Sequence, residues 1–206
     1  SIKGFVETMK EDVQAQKWDQ VPFFLNTISK GVNRLTELVN DMLSLSALEA
    51  NSHIKKEWIN LFQLTHEVIE SLSALAKEKN IRIVVSVESV ELYGDEKKIE
   101  QVLANLVSNA IKYIPDGGNI DVQWKDNREN IDLIVRDDGP GIGPEHLDRL
   151  FERFYRVDKG RSREAGGTGL GLAIVKHIMQ NHGGQVHVTS ELGHGSCFIC
   201  SFPKKL

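Results

Sequence analysis

Six apolar residues near the start of the chain, Leu25, Ile28, Val32, Leu35, Val39 and Met42, recur at alternating steps of three and four. Such a seam runs as one continuous apolar stripe along a helix. Leu38, Leu43, Leu45 and Leu48 widen it beyond what a two-stranded coil needs. Ahead of it, Ile2, Phe5, Val6, Met9 and Val13 share a second helical face, and polar residues 14–20 separate the two. Pro22 suits the first turn of the second helix, where its missing N–H would be unpaired anyway. A lone hairpin cannot bury so wide a stripe, whereas two hairpins can, as a four-helix bundle. Residues 1–50 are therefore expected to dimerise with a second copy of the chain. Packing of the stripe against the rest of the chain is the alternative.

The period changes near residue 53, which divides the chain into a hairpin (1–53) and a second domain (54–206). Leu61 to Lys79 and Asp95 to Tyr113 read as helices, and Thr168 to His182 as a third, ended by Gly183-Gly184. Ile81 to Val87, Asn119 to Lys125 and Asn130 to Asp137 alternate as strands, and Gln185 to Ser190 with Ser196 to Phe202 read as a hairpin. Helices and strands without regular βαβ alternation suggest an α+β domain, with helices layered on one face of a mixed sheet. A hydrophobic share of 40% over 206 residues is ample for such a core. A net charge of −4 gives no reason to expect nucleic acid. No apolar run reaches the roughly 18 residues of a membrane span. Cys197 and Cys200 fall three apart in a strand, so they should point to opposite faces, which suits reduced thiols in a cytoplasmic compartment better than a redox or zinc site.

Four signatures follow in order over the second half: Asn105-Leu-Val-Ser-Asn109-Ala-Ile-Lys112-Tyr113, Asp137-Asp-Gly139-Pro-Gly141, Gly167-Thr-Gly169-Leu-Gly171-Leu172 and Gly193-His-Gly195-Ser196. Asn105, Asn109 and Lys112 form one polar stripe beside an apolar helix face. Asparagine is a poor helix former, so the stripe points to a ligand, for which a neutral carboxamide oxygen suits Mg²⁺ held with phosphate oxygens, or else to a hydrogen-bonded surface stripe. Strand parity turns Asp137 toward the apolar side, where a buried carboxylate needs a donor such as an exocyclic amine. Gly139 and Gly141 would let the backbone approach a flat base. The Gly167–Leu172 run opens a helix, whose N-terminal N–H groups attract phosphate. Residues 143–166 exceed ordinary connection lengths and suggest a lid, with Phe151, Phe154 and Tyr155 as hydrophobic anchors.

Together these signatures closely resemble the N, G1, G2 and G3 boxes of the sensor histidine kinases of bacterial two-component systems. Glu152-Arg-Phe154-Tyr-Arg156-Val-Asp158 looks like their F box, and residues 1–50 resemble their dimerisation and histidine-phosphotransfer hairpin. The lid sequence is similar to that of phosphate-responsive and cell-wall sensor kinases. The resemblance implies an α/β sandwich that binds ATP. Asn109 would ligate Mg²⁺, Asp137 would read adenine, Tyr113 and Ile142 would flank the base, and Lys112 and Arg156 would meet the phosphates as the catalytic cations. Asn105, Gly139, Gly141, Tyr155, Lys159, Gly167, Thr168, Gly169, Leu170, Gly171, Leu172 and Ser196 complete the implied nucleotide set. A response-regulator aspartate would be the final acceptor, and a membrane anchor could lie upstream.

In the family the phosphate-accepting histidine sits just before a Ser-Ile-Lys-Gly-Phe stretch, and this sequence begins at that Ser1. His53, His66, His146, His177, His182, His187 and His194 lie in no such context, and each is read as structural or superficial. The expectation is a chain that binds ATP without phosphorylating itself. Two other classes share such a pocket. The ATPases related to gyrase, chaperone and mismatch-repair proteins carry a general-base glutamate where this chain has Asn105, and an amide cannot take a proton from water. A non-catalytic nucleotide-sensing scaffold is the other, and the intact set of nucleotide-facing positions speaks against it. The hairpin in front speaks against an anti-sigma serine kinase.

Overall fold

The computed structural model describes residues 2–14, 18–50, 55–87, 91–157 and 167–204. Helix α1 (Ile2–Gln14) packs against α2 (Val21–Ala50), with the Phe5 and Phe24 rings 6.0 Å apart. Five of the six seam residues, Leu25, Val32, Leu35, Val39 and Met42, stay about half exposed or more in the single chain. Further along, Leu45 and Leu48 fall to 4% and 5% exposure and join the core built by the elements that follow residue 55. The wide stripe is thus divided: its far end packs within the chain, and its middle is uncovered. The expected boundary at residue 53 lies outside the described residues.

A short ribbon pairs β1 (Glu57–Asn60) with β3 (Glu91–Gly94) antiparallel. Between them run α3 (Leu61–Glu78) and β2 (Arg82–Val87). Asn60 caps α3 by accepting the Gln63 N–H at 3.0 Å, and Asp95 caps α4 (Glu96–Tyr113) by accepting the Lys98 N–H at 3.2 Å. These short polar side chains satisfy N–H groups that have no partner within a helix. β4 (Asn119–Asp126), β5 (Asn130–Asp137), β6 (Gln185–Glu191) and β7 (Gly195–Pro203) complete a five-stranded sheet in the order β2-β4-β5-β7-β6. Only β2 and β4 pair in parallel. The sheet is mixed, as an α+β reading requires.

One face of the sheet is apolar throughout. Ile120, Val122 and Trp124 alternate with Ile131, Leu133 and Val135 and with Phe198, Cys200 and Phe202, all buried. α3, α4 and α6 (Gly171–Asn181) cover that face. The Trp124 indole donates to Thr65 Oγ1 at 2.9 Å, and the Thr65 hydroxyl donates to the Leu61 carbonyl at 2.6 Å, so a wholly buried polar pair is satisfied. Cys200 is buried and Cys197 half-buried on the other face; burial pushes the Cys200 thiol well above its ordinary range. Among the described residues no helix is long and apolar enough to cross a membrane.

Two expectations need correction, and two strands lie where no element is expected: β1 and β3 are each four residues long, too short for a period to show. The last helix begins at Gly171, three residues after Thr168, because Gly169 has φ +76°, and no right-handed helix passes through a left-handed residue. Within the expected lid, α5 (Pro144–Leu147) forms and Phe151 packs on the core, but Phe154 does not anchor: it is 54% exposed.

Candidate functional site

The last two turns of α4 carry the polar stripe. α4 buries Ile99, Val102, Leu103, Leu106, Val107, Ala110 and Ile111, which leaves Asn105, Asn109 and Lys112 half-buried at the rim. Asn105 Nδ2 donates to the Gly171 carbonyl at 3.2 Å, which ties α4 to the start of α6. The Asn109 carboxamide makes no hydrogen bond to another described residue. Burial holds the Lys112 ammonium below its ordinary range, and Glu37 opposes that shift; Arg156 and Arg34 add to it, and Asp41 works against it. Lys112 and Arg156 therefore share one electrostatic neighbourhood.

Beside the end of α4 lies the β5 turn, where a Cβ on Gly139 would stand 3.4 Å from Ile114 Cγ1. Parity places Asp137 on the buried side of the sheet, as the alternation predicts. Its Oδ1 accepts the Gly139 N–H at 2.9 Å, and the Ser196 backbone also donates to its carboxylate. Burial still dominates these two bonds and raises its pKa above the ordinary carboxylate range. The carboxylate is thus short of donors. The chain then turns through Gly141 at φ +70°, where a Cβ would lie 1.9 Å from the Glu191 carbonyl oxygen, so only glycine fits. The Ile142 N–H donates to Ser190 Oγ at 2.8 Å, and Ser190 Oγ lies 2.9 Å from buried Ser196 Oγ and donates to the Gly195 carbonyl at 2.7 Å. Ser190 was not marked in the sequence, yet its hydroxyl links the second signature to the fourth. Gly139 approaches buried Ile114, which follows half-exposed Tyr113.

The third signature forms the opposite wall. A Cβ on Gly167 would stand 3.0 Å from Lys112 Nζ and 3.5 Å from the Tyr113 hydroxyl. Thr168 Oγ1 accepts the Leu170 N–H at 3.2 Å, so the free N–H groups of α6 start just beyond it. Leu170 is fully buried and Leu172 packs on the core, which leaves only their backbones for a ligand. The Phe154 N–H donates to the Gly169 carbonyl at 2.9 Å and brings residues 154–156 alongside. The Tyr155 hydroxyl lies 2.7 Å from His146 Nδ1, and the Arg149 guanidinium stacks 4.4 Å from its ring centroid. Lys159 lies outside the described residues.

Helix α2 reaches this wall from the hairpin. Thr168 Oγ1 donates to Asp41 Oδ2 at 2.6 Å, Asn181 Nδ2 donates to the Leu48 carbonyl at 3.3 Å, and Glu49 pairs with Arg153. None of these links has a sequence signal. The groups that a purine and its phosphates would meet come from α4, the β5 turn and the 167–172 turn, which the fold draws together around one groove. Its chemistry is a donor-poor acid at one end, two cations and helix-start N–H groups at the other, and a neutral amide oxygen between. Those features suit a purine nucleotide with a divalent cation.

Residues 94–206 match the family model described as "Histidine kinase-, DNA gyrase B-, and HSP90-like ATPase". The phosphate regulon sensor protein PhoR of Pseudomonas aeruginosa is 37% identical over 98% of this chain and 46% of its own length. The sensor histidine kinase WalK of Bacillus subtilis is 35% identical over 100% of this chain and 34% of its own. The chain thus spans less than half the length of these curated relatives. Among solved structures, full-length ShkA in complex with AMPPNP superposes with a TM-score of 0.76 at 30% identity, covering 90% of this chain and 39% of that one. Histidine kinase ThkA, solved in complex with the response regulator TrrA, superposes with a TM-score of 0.74 at 24% identity, over 99% of this chain and 59% of that one, a likeness of fold.

Proposed function

Because the chain belongs to the histidine kinase-, DNA gyrase B- and HSP90-like ATPase family and carries the catalytic region of a bacterial two-component sensor kinase, we propose that it binds Mg-ATP in the groove beside α4 and donates the γ-phosphoryl to a protein histidine. The phosphoryl then passes to an aspartate of a response regulator, a partner that the ThkA complex motivates. The observation that carries the reading is Asp137, a carboxylate whose burial outweighs its two backbone donors at the end of a groove lined by cations. The adenine amine supplies the missing donor, and Gly139, Gly141, Ile142 and Tyr113 frame the base. Asn109 offers a neutral oxygen to Mg²⁺, a hard cation that keeps most of its waters. Lys112 and Arg156 place positive charge on the phosphates, as phosphoryl transfer requires. The backbone of Gly167, Thr168, Gly169, Leu170, Gly171 and Leu172 supplies N–H groups, and Ser196 holds Asp137. By resemblance, Tyr155 and Lys159 join the residues that face the nucleotide.

Asn105 speaks against a hydrolase, since its amide is committed to the Gly171 carbonyl and cannot act as a base toward water. The uncovered seam of α2 supports a homodimer through residues 1–50. Calorimetry with Mg-ATP tests the site: the chain should bind, and Asn109→Asp should not, because a carboxylate added beside the phosphates repels them. Wild-type affinity in that variant removes Asn109 from the metal. With a histidine-bearing acceptor helix joined ahead of Ser1, labelled ATP should give acid-labile phosphoprotein; acid-stable label would indicate a hydroxyl acceptor instead.

A further inference from the structure

The C-terminal end of α4 is gripped by one residue, Lys79, which follows the end of α3. The last carbonyls of a helix lack partners within it. In α4 the Ala110 carbonyl is taken by the Ile114 N–H at 3.0 Å. The carbonyls of Ile111, Lys112 and Ile114 all converge on Lys79 Nζ, at 2.9, 3.0 and 3.0 Å. An ammonium has three protons, and here each has an acceptor in one four-residue stretch. The backbone of Lys79 joins in: the Gly117 N–H donates to its carbonyl at 2.8 Å. Residues 111–117 are therefore clasped by the side chain and the main chain of Lys79 together, and a cation at a helix C-terminus also meets the negative end of its dipole.

That clasped stretch is the part of α4 that touches both ends of the groove. Lys112 Nζ and the Tyr113 hydroxyl approach Gly167 on one side. Ile114, 1% exposed, packs under Gly139 on the other, beside Asp137. A shift of the α4 end moves the phosphate-facing cation and the base-flanking ring at once. We propose that Lys79 is a positioning residue for the nucleotide: it touches no ligand but sets the α4 terminus from which Lys112 and Tyr113 reach it. The inference rests on the nucleotide reading of the groove.

A double-mutant cycle separates positioning from simple stabilisation. ATP affinity is measured by calorimetry for the wild type, Lys79→Met, Lys112→Ala and the double variant, each with a thermal melt to confirm folding. Lys79→Met keeps the stem and removes the three donors. It should weaken ATP binding roughly tenfold, the scale on which small misplacements of a binding group act. In the Lys112→Ala background the same change should cost only about threefold, because one of the two groups being positioned is gone. Should Lys79→Met not fold, Lys79→Arg serves in its place: it keeps charge and donors but cannot bring one nitrogen to three converging carbonyls, and should show a smaller loss with the same dependence on Lys112. Equal losses in both backgrounds, or a lower melting temperature with unchanged affinity, overturn the positioning role. No ATP binding by the wild type overturns the nucleotide reading itself, and is told apart by that first titration.

Discussion

Substitution of Gly141 by alanine gives the sharpest test of how the groove is built, because Gly117 provides a matched control. Both glycines have left-handed backbones, at φ +70° and +85°. Alanine at either position costs about 1 kcal/mol or somewhat more for that conformation. At Gly117 nothing else changes, since an added Cβ meets no atom within 4 Å. At Gly141 the Cβ would lie 1.9 Å from the Glu191 carbonyl oxygen, whereas ordinary contact begins at 3.4 Å, so the two backbones must part by about 1.5 Å. The bonds on either side, Gly193 N–H to the Pro140 carbonyl and Ile142 N–H to Ser190 Oγ, both 2.8 Å, cannot survive that movement. Each contributes about 1 kcal/mol. Gly141→Ala should therefore cost about 3–4 kcal/mol, against about 1 for Gly117→Ala. At roughly 2–4 °C per kcal/mol for a chain of this size, the melting temperature should fall by about 10 °C in the first and by a few degrees in the second. Ile142 moves with the turn, so ATP affinity should drop only for Gly141→Ala. Melts of the two variants that agree within about 2 °C would refute the close backbone approach as the reason for glycine.

Thr65→Val should lower stability by about 1–3 kcal/mol in urea unfolding, because the buried Trp124 indole N–H loses its acceptor; an unchanged midpoint would mean that the indole finds another partner. Asp41→Ala should tighten ATP binding by roughly threefold to tenfold, since it removes a carboxylate bonded to Thr168 and felt by Lys112 at the wall assigned to the phosphates; equal or weaker binding in calorimetry contradicts this. Asp137 carries a signed pH dependence. Its folded pKa is raised by burial, so its contribution to stability is fully present below the unfolded carboxylate value and is lost as pH rises through the folded one. Asp137→Asn should then melt above the wild type at neutral pH, with the gap closing in acid, while ATP binding is lost. A variant that melts lower at neutral pH than in acid, relative to wild type, reverses the sign.

Much of the site was legible because its signals are local. Parity along β5 needs only neighbouring residues, and it turned Asp137 inward correctly. The stripe of Asn105, Asn109 and Lys112 follows from helix geometry alone, and α4 carries it at the rim of its buried face. The glycine runs marked where backbones come close, though not which residue each would meet. Misreadings arose where a local signal was absent or ambiguous. Four-residue strands show no period, and the left-handed φ of Gly169 leaves no mark in a run that otherwise suits a helix start. Phe154 and Tyr155 looked alike as apolar anchors, yet one is exposed and the other is drawn to His146.

The sequence by itself determined the long helices and strands, which face of each is apolar, and which polar residues stand out on those faces, because periods of two and 3.6 are set by the covalent backbone. Only the tertiary structure decided what those faces meet. Lys79 reaches carbonyls 32 to 35 positions away, and Asp41 and Thr168 are 127 apart, so neither contact leaves a trace in the spacing of neighbours. Such bonds exist because packing the apolar faces brings distant polar groups together out of water, where each must find a partner.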